Sequence, residues 1–146
     1  MYNKKYYDNH KVHLCNLSKI WYKNNVEKVN SNRRKNPYSI LSTLKRNAKK
    51  RNLEFIITKD YFINWWNSQE QKCVYCDIPI ERLAVVDKSK KLARRLSIDR
   101  IDNEKGYTEG NLALCCLSCN FIKSNLFTSS EMKEIAQKYL KPKWQS

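Results

Sequence analysis

The clearest apolar pattern runs through residues 36–51. Ile40, Leu41, Leu44 and Ala48 recur at helical spacing, and Lys45, Arg46, Lys49, Lys50 and Arg51 fill the opposite side. Asn36 can cap this helix and Pro37 suits its first turn. Leu53 to Ile57 reads as a short extended piece. Thr58 then starts a second helix carrying Tyr61, Phe62, Trp65 and Trp66. Phe62 and the two tryptophans share one face, which predicts that they pack into the core. The period changes to two from Leu96 to Ile101, with Leu96, Ile98 and Arg100 on one side, and again over Asn111 to Cys115, with Leu112 and Leu114 alternating. Asp102 to Tyr107 reads as the connecting loop. A helix opens at Asn120-Phe121-Ile122-Lys123. A last helix starts at Thr128-Ser129-Ser130-Glu131, a capping-box pattern, and is expected to stop before Pro142.

Two stretches are less regular. Residues 1–36 are rich in Lys, Asn and Tyr, and they carry a faint repeat: Tyr6-Tyr7-Asp8-Asn9 recurs as Trp21-Tyr22-Lys23-Asn24, about four helical turns later. Leu14, Leu17, Ile20 and Trp21 also fall at helical spacing. The segment reads as a basic, aromatic-bearing helical arm or as a flexible tail, closed by a basic break over Ser31–Pro37. Residues 81–95, with Lys88, Lys90, Lys91, Arg94 and Arg95, read as a surface insertion or a DNA-facing loop. The resulting organisation is an arm (1–36), a helical lead-in (37–72), a strand–loop–strand–helix core (73–128) and a closing helix (129–146).

Length and composition narrow the reading. A chain of 146 residues with 41% hydrophobic content and two glycines has a modest core. Its net charge of +15 implies a polyanionic partner, and the interleaving of basic and aromatic residues points to nucleic acid. No apolar run approaches a membrane span and no signal-peptide pattern opens the chain, so an intracellular setting is expected. In that reducing setting the six cysteines are read as thiols rather than as three disulfides.

Four of those cysteines form two C-x-x-C pairs, Cys73/Cys76 and Cys116/Cys119. Four thiolates from two knuckles can close a tetrahedron around Zn²⁺, and the ion would then pin together the strands and helix lying between and beside them. Cys115 is expected to pack as a small apolar residue. His10, His13 and Cys15 could ligate a metal from one helix, although an incidental cluster is the plainer reading. A redox role for the C-x-x-C pairs lacks the alternating strand–helix context such proteins have.

Strand, loop, strand and helix clamped by zinc make a ββα-metal finger. Residues 73–123 resemble the HNH endonuclease family in its four-cysteine zinc form, as found in phage and mobile-element nucleases, and a Ser-x-Asp-Arg-Ile-Asp run (Ser97 to Asp102) recurs in HNH-like phage proteins. More weakly, Leu44 to Phe55 with Thr58 and Phe62 resembles the helical lead-in of such proteins. The resemblance implies an α+β fold: a small zinc-stapled ββα-metal (His-Me finger) core with a basic helical N-terminal extension and a C-terminal helix. It implies a metal-dependent DNA endonuclease that nicks or cuts double-stranded DNA, of phage, viral or homing type. Asp99 matches the first metal-binding acid and Asn120, directly after the fourth cysteine, the last. Asn111 matches the residue that holds the loop, and Lys123 a basic residue near the DNA backbone. Asp99 and Asn120 would hold a catalytic Mg²⁺ or Mn²⁺ beside the structural Zn²⁺. Lys45, Arg46, Lys49, Lys50 and Arg51 would add phosphate contacts. A double cut would call for a homodimer on DNA.

One position departs from the family pattern. The family places its general base, a histidine, directly after the first acid, and here that residue is Arg100, which keeps its proton at any working pH. Either Arg100 binds phosphate while Asp102, Glu104, Tyr107 or a metal-bound hydroxide activates water, or the chain cleaves slowly, or it is a zinc-containing nucleic-acid-binding module that has lost cleavage.

Overall fold

Asn36 is the first punctuation the chain obeys. A residue preceding proline avoids the helical region, and Asn36 adopts an extended conformation (φ −84°, ψ 112°) before Pro37. It ends one helix and caps the next, its side-chain oxygen accepting the Tyr38 N–H at 2.9 Å. The computed structural model describes residues 4–83 and 95–145, and it divides at this point into two units. Residues 84–94, including Lys88, Lys90, Lys91 and Arg94, lie outside the described residues.

The first unit is helix α1, Lys4–Lys35, an unbroken run of 32 residues. The basic break expected from Ser31 onward is absent: helix-compatible residues carry through to Lys35, and only Pro37 stops them. Tyr6 and His10 stack on one face at 4.2 Å, and the Asn25 side chain donates to the Trp21 carbonyl one turn back. Tyr6, Trp21 and Tyr22 are exposed.

The second unit begins with α2 (Pro37–Lys50) and α3 (Lys59–Ser68), which pack against each other. The helical stripe of α2 places Ile40, Leu44 and Ala48 in the core, as expected. Thr58 caps α3 by accepting the Tyr61 N–H. Phe62 is fully buried, and Trp65 and Trp66 pack around it with ring centroids 5.7 and 6.2 Å away, which bears out the core reading of that face. The segment between these helices is extended and pairs with a distant turn: Ile56 donates to the Tyr107 carbonyl (3.1 Å), and Tyr107 donates to the Glu54 carbonyl (2.9 Å).

The sheet has two antiparallel strands, β1 (Ser97–Arg100) and β2 (Leu112–Cys115), with Ser97 opposite Cys115 and Arg100 opposite Leu112. Both sides of β1 are covered, so Asp99 and Arg100 are buried along with Ile98. Helix α4 (Leu117–Lys123) returns across β1. Beyond it, α5 (Ser129–Ile135) starts with the expected capping box: Thr128 accepts the Glu131 N–H, and the Glu131 carboxylate accepts the Thr128 N–H. Pro142 does not end this helix. A π-helical turn, Ala136–Leu140, intervenes, and Lys141 N–H reaches back five residues to Ala136. That wider turn takes up the misfit a proline ring creates with the preceding turn, and α6 (Lys141–Gln145) continues through Pro142. Among the described residues no helix is long and apolar enough to cross a membrane.

Candidate metal centre and cleft

The two knuckles meet. The sulfurs of Cys73, Cys76, Cys116 and Cys119 all lie within 4.8 Å of one another, and Cys76 and Cys116 are 3.8 Å apart. A tetrahedron with Zn–S bonds of about 2.3 Å has sulfur–sulfur edges of about 3.8 Å, so the cluster fits zinc. Each knuckle is built to hold its sulfurs inward. Asp77 takes a left-handed conformation (φ 60°), turning the chain after Cys76 so that Cys73 N–H donates to the Ile78 carbonyl. Cys116 caps α4, its sulfur accepting the Cys119 N–H at 3.4 Å. Four thiols this close share protons unequally. Hydrogen bonds from Cys116 and Cys119 push the Cys73 thiol far down, while Cys116 and Cys73 push the Cys119 thiol far up. A divalent cation among them would displace the remaining protons. Among the described residues this is the one such cluster, so His10, His13 and Cys15 on α1 do not assemble a site. Cys115 is fully buried in the core, where burial pushes its thiol up and leaves it an inert packing residue.

The first knuckle is also sealed from outside. Gln137 donates to the Tyr75 carbonyl (2.7 Å) and to Asp77 Oδ2 (3.0 Å). Lys141 Nζ lies 2.7 Å from the same oxygen, and the Trp144 indole donates to the Cys76 carbonyl at 2.9 Å. The sequence held no hint of this latch between the closing helix and the zinc loop.

A zinc ion at the four cysteines would fix α4 across β1, and the side chains between them form one network. Asp99 Oδ2 accepts a 2.6 Å hydrogen bond from the Tyr75 hydroxyl and lies 3.3 Å from Lys123 Nζ. Burial, then the hydrogen bond to Asp99, pushes the Tyr75 phenol well above its ordinary range, so it stays a donor. Among the described residues both side-chain partners of Asp99 engage Oδ2, which leaves Oδ1 as the oxygen available to a cation. Asn120 donates through Nδ2 to the Ser97 hydroxyl at 2.7 Å, which likewise leaves its carbonyl oxygen free for that role. Asn120 lies a full turn inside α4, its N–H donating to the Cys116 carbonyl, so the helix start expected at this residue falls instead at Leu117, where the Cys116 sulfur supplies the cap.

Asn111 is buried and braces the loop between the strands. Its side chain accepts from Asp102 N–H (2.7 Å) and donates to the carbonyls of Asp102 (3.1 Å) and Gly106 (2.9 Å). Arg100 works on the same loop from within: Nη1 donates to the carbonyls of Asn103 and Lys105, and Nη2 to the Asn125 side chain. Lys123 is not at the surface. It is fully buried, donating to the Arg100 carbonyl (2.9 Å) and Asn103 Oδ1 (2.6 Å), so a residue expected beside the DNA backbone is instead a strut under the site. Its long stem lets a charge on a short helix turn inward to meet Asp99.

Asp99, Arg100, Asn103, Tyr107, Asn120, Phe121 and Arg51 line a cleft of about 500 Å³. A neighbouring cleft of about 320 Å³ shares Arg51, Ile98, Tyr107 and Asn120 with it and adds Lys50, Arg95, Thr43 and Asn47. The basic side of α2 is thus divided: Lys50 and Arg51 face these clefts, whereas Lys45, Arg46 and Lys49 are exposed elsewhere. Of the candidates for activating water, only Tyr107 lines the clefts. Burial raises its phenol, opposed by the Arg51 charge beside it. Asp102 is occupied by the Glu104 N–H and by Lys105, which hold its carboxyl below the usual range.

No protein-family model matches the chain, and no curated protein is similar to it. Among solved structures it is similar to PacI, described as a rare-cutting HNH restriction endonuclease with an extraordinary mechanism of DNA perturbation. The two are 30% identical over 73% of this chain and 77% of that one, with a TM-score of 0.64.

Proposed function

Because the chain belongs to the HNH endonuclease family, we propose that it is a metal-dependent endonuclease that hydrolyses phosphodiester bonds in double-stranded DNA. The observation that carries this reading is the convergence of Asp99 and Asn120 on one cleft, each with a hard oxygen left by its other hydrogen bonds. Those two oxygens would hold Mg²⁺ or Mn²⁺. When bound, such an ion stabilises charge developing on the scissile phosphate and its leaving oxygen. Zinc at the four cysteines would keep α4 and β1 in register. Arg51 would receive a phosphate oxygen at the cleft, and Tyr107, which lines the same cleft and keeps its proton, would help to orient the attacking water.

A second reading draws on one observation. Arg100 stands where the family has its basic histidine, and its guanidinium is tied into the loop by three hydrogen bonds. A chain braced in this way could bind DNA without cutting it. Conversion of supercoiled plasmid to nicked or linear forms by the zinc-loaded protein decides between the two. Cleavage with Mg²⁺ or Mn²⁺, absent with chelator and lost in Asp99→Ala, is the expected result. DNA binding with no cleavage under any metal would establish the binding module instead.

A further inference from the structure

Phe121 and Leu126 are 84% and 81% exposed, the two most exposed large hydrophobic side chains among the described residues. Both line the same cleft as Asp99 and Asn120. Phe121 directly follows Asn120 on α4, while its neighbour Ile122 turns inward to pack against the core. Leu126 is presented by the turn that ends α4, and that turn is held firmly. Ser124 takes an unusual positive-φ conformation (φ 46°, ψ −135°) of the kind that persists only where surrounding contacts impose it. Here those contacts are visible. Leu126 and Phe127 both donate to the Lys123 carbonyl, Arg100 donates to the Asn125 side chain, and Asn103 donates to the Phe127 carbonyl. Phe127 packs against the core and Leu126 is left pointing out.

From this arrangement we infer that Phe121 and Leu126 form a rigid apolar wedge that enters a base step of DNA next to the phosphate held in the cleft. The inference rests on DNA being the substrate, and the charge of the chain and Arg51 at the cleft select a polyanion. A polyanion entering the cleft that holds Asp99 meets a lining that includes both side chains. DNA offers apolar partners there, the sugar edges of its minor groove and the stacked faces of its bases, and inserted apolar side chains unstack and kink such steps. A pinned turn suits this task because a flexible one would fold its leucine away from the strain.

The test reads DNA geometry without requiring cleavage or knowledge of the target site. Relaxed closed-circular plasmid is saturated with the zinc-loaded protein in Ca²⁺, treated with a type I topoisomerase, and stripped of protein. Insertion untwists the step, so the wild type is expected to shift the topoisomer distribution of the recovered circles. Phe121→Ala/Leu126→Ala is expected to bind the same plasmid within about fivefold of wild type yet leave the distribution unshifted. Its zinc content and circular dichroism show whether it is folded, and single Phe121→Ser and Leu126→Ser variants, each expected to give part of the loss, provide a second measure. A wild type that binds without shifting, or a double variant that shifts as strongly, overturns the wedge. So does a wild-type dimer that the double variant turns into a monomer, because the pair would then be a self-association patch. A shift with no plasmid cleavage in Mg²⁺ or Mn²⁺ would overturn the nuclease reading and leave the wedge standing.

Discussion

Lys123 Nζ sits 3.3 Å from Asp99 Oδ2 with both side chains buried. The ammonium balances the carboxylate before any divalent ion arrives, and it ties the end of α4 to β1. Removing one member of a buried pair leaves the other charge uncompensated. Lys123→Met is therefore expected to lower the unfolding free energy by about 3 kcal/mol. Urea denaturation checks this, and a variant as stable as the parent would show that the pair does not support the fold.

The four-cysteine centre is expected to govern folding of everything after Asn36. All four cysteines belong to the same core as Phe62, Leu96 and Met132. In a core of this size the metal supplies a large part of the stability. Chelation, or Cys116→Ser, should abolish the cooperative thermal transition of the second unit, while circular dichroism follows the loss of its helices. Retention of a sharp transition without metal would show that the apolar core suffices.

Gly106 touches Glu54 so closely that an added Cβ would overlap the Glu54 carbonyl and Cβ. The same residue offers its own carbonyl to Asn111. Gly106→Ala should force apart the pairing of residues 54–56 with Tyr107, at a cost of about 1–3 kcal/mol. It should also depress cleavage, since Tyr107 would move. Paired melting and plasmid assays check both effects, and normal melting with normal cleavage would contradict them.

Acid should loosen the latch on the first knuckle. Hydrogen bonding from Lys141 holds the Asp77 carboxyl below its ordinary value in the folded chain. Its contribution is complete above the ordinary carboxylate pKa and is lost as pH falls through the lower, folded value. The carboxylate is about one-third exposed, which limits the contribution to about 1 kcal/mol. Lys141→Met should lower the melting temperature at neutral pH and flatten its decline below about pH 4. Melting curves across that range test it, and parallel curves for the two proteins would refute the assignment.

The two sides of α2 should differ in their salt dependence on DNA. Each phosphate contact adds about 0.9 to the slope of log affinity against log salt. Lys50→Gln with Arg51→Gln should reduce the slope by about two, and Lys45→Gln with Lys49→Gln by less than about one. Equal effects would mean that the strand does not run along the clefts.

The sequence was legible where chemistry is local. The Asn36 and Thr128 caps and the helical stripe of α2 depend on residues a few positions apart, and the structure has them in place; β1 and β2 form where expected, but both faces are covered and the alternation expected of them does not appear in their burial. The four cysteines were legible because a thiolate cage tolerates few other spacings. Lys123 was not, because a lysine on a basic chain reads as solvated until a buried carboxylate is known to lie above it. Tyr75 stood inside the C-x-x-C loop, yet nothing nearby announced that its hydroxyl would reach Asp99. Pro142 misled for a different reason: a proline stops a regular helix, but one extra residue in the preceding turn accommodates it.

The partners that close the first knuckle lie 60 to 68 residues further along the chain. On the ribosome, Cys73 and Cys76 therefore wait first for Cys116 and Cys119, and then for Gln137, Lys141 and Trp144. A nascent chain that has made Asp99 and Asn120 holds the cleft residues but not yet the cover that steadies the knuckle beside them. Closing so long a loop is slow compared with forming any single helix. The first knuckle thus reaches its finished, latched form only after the segment around Trp144 has been synthesised and docked.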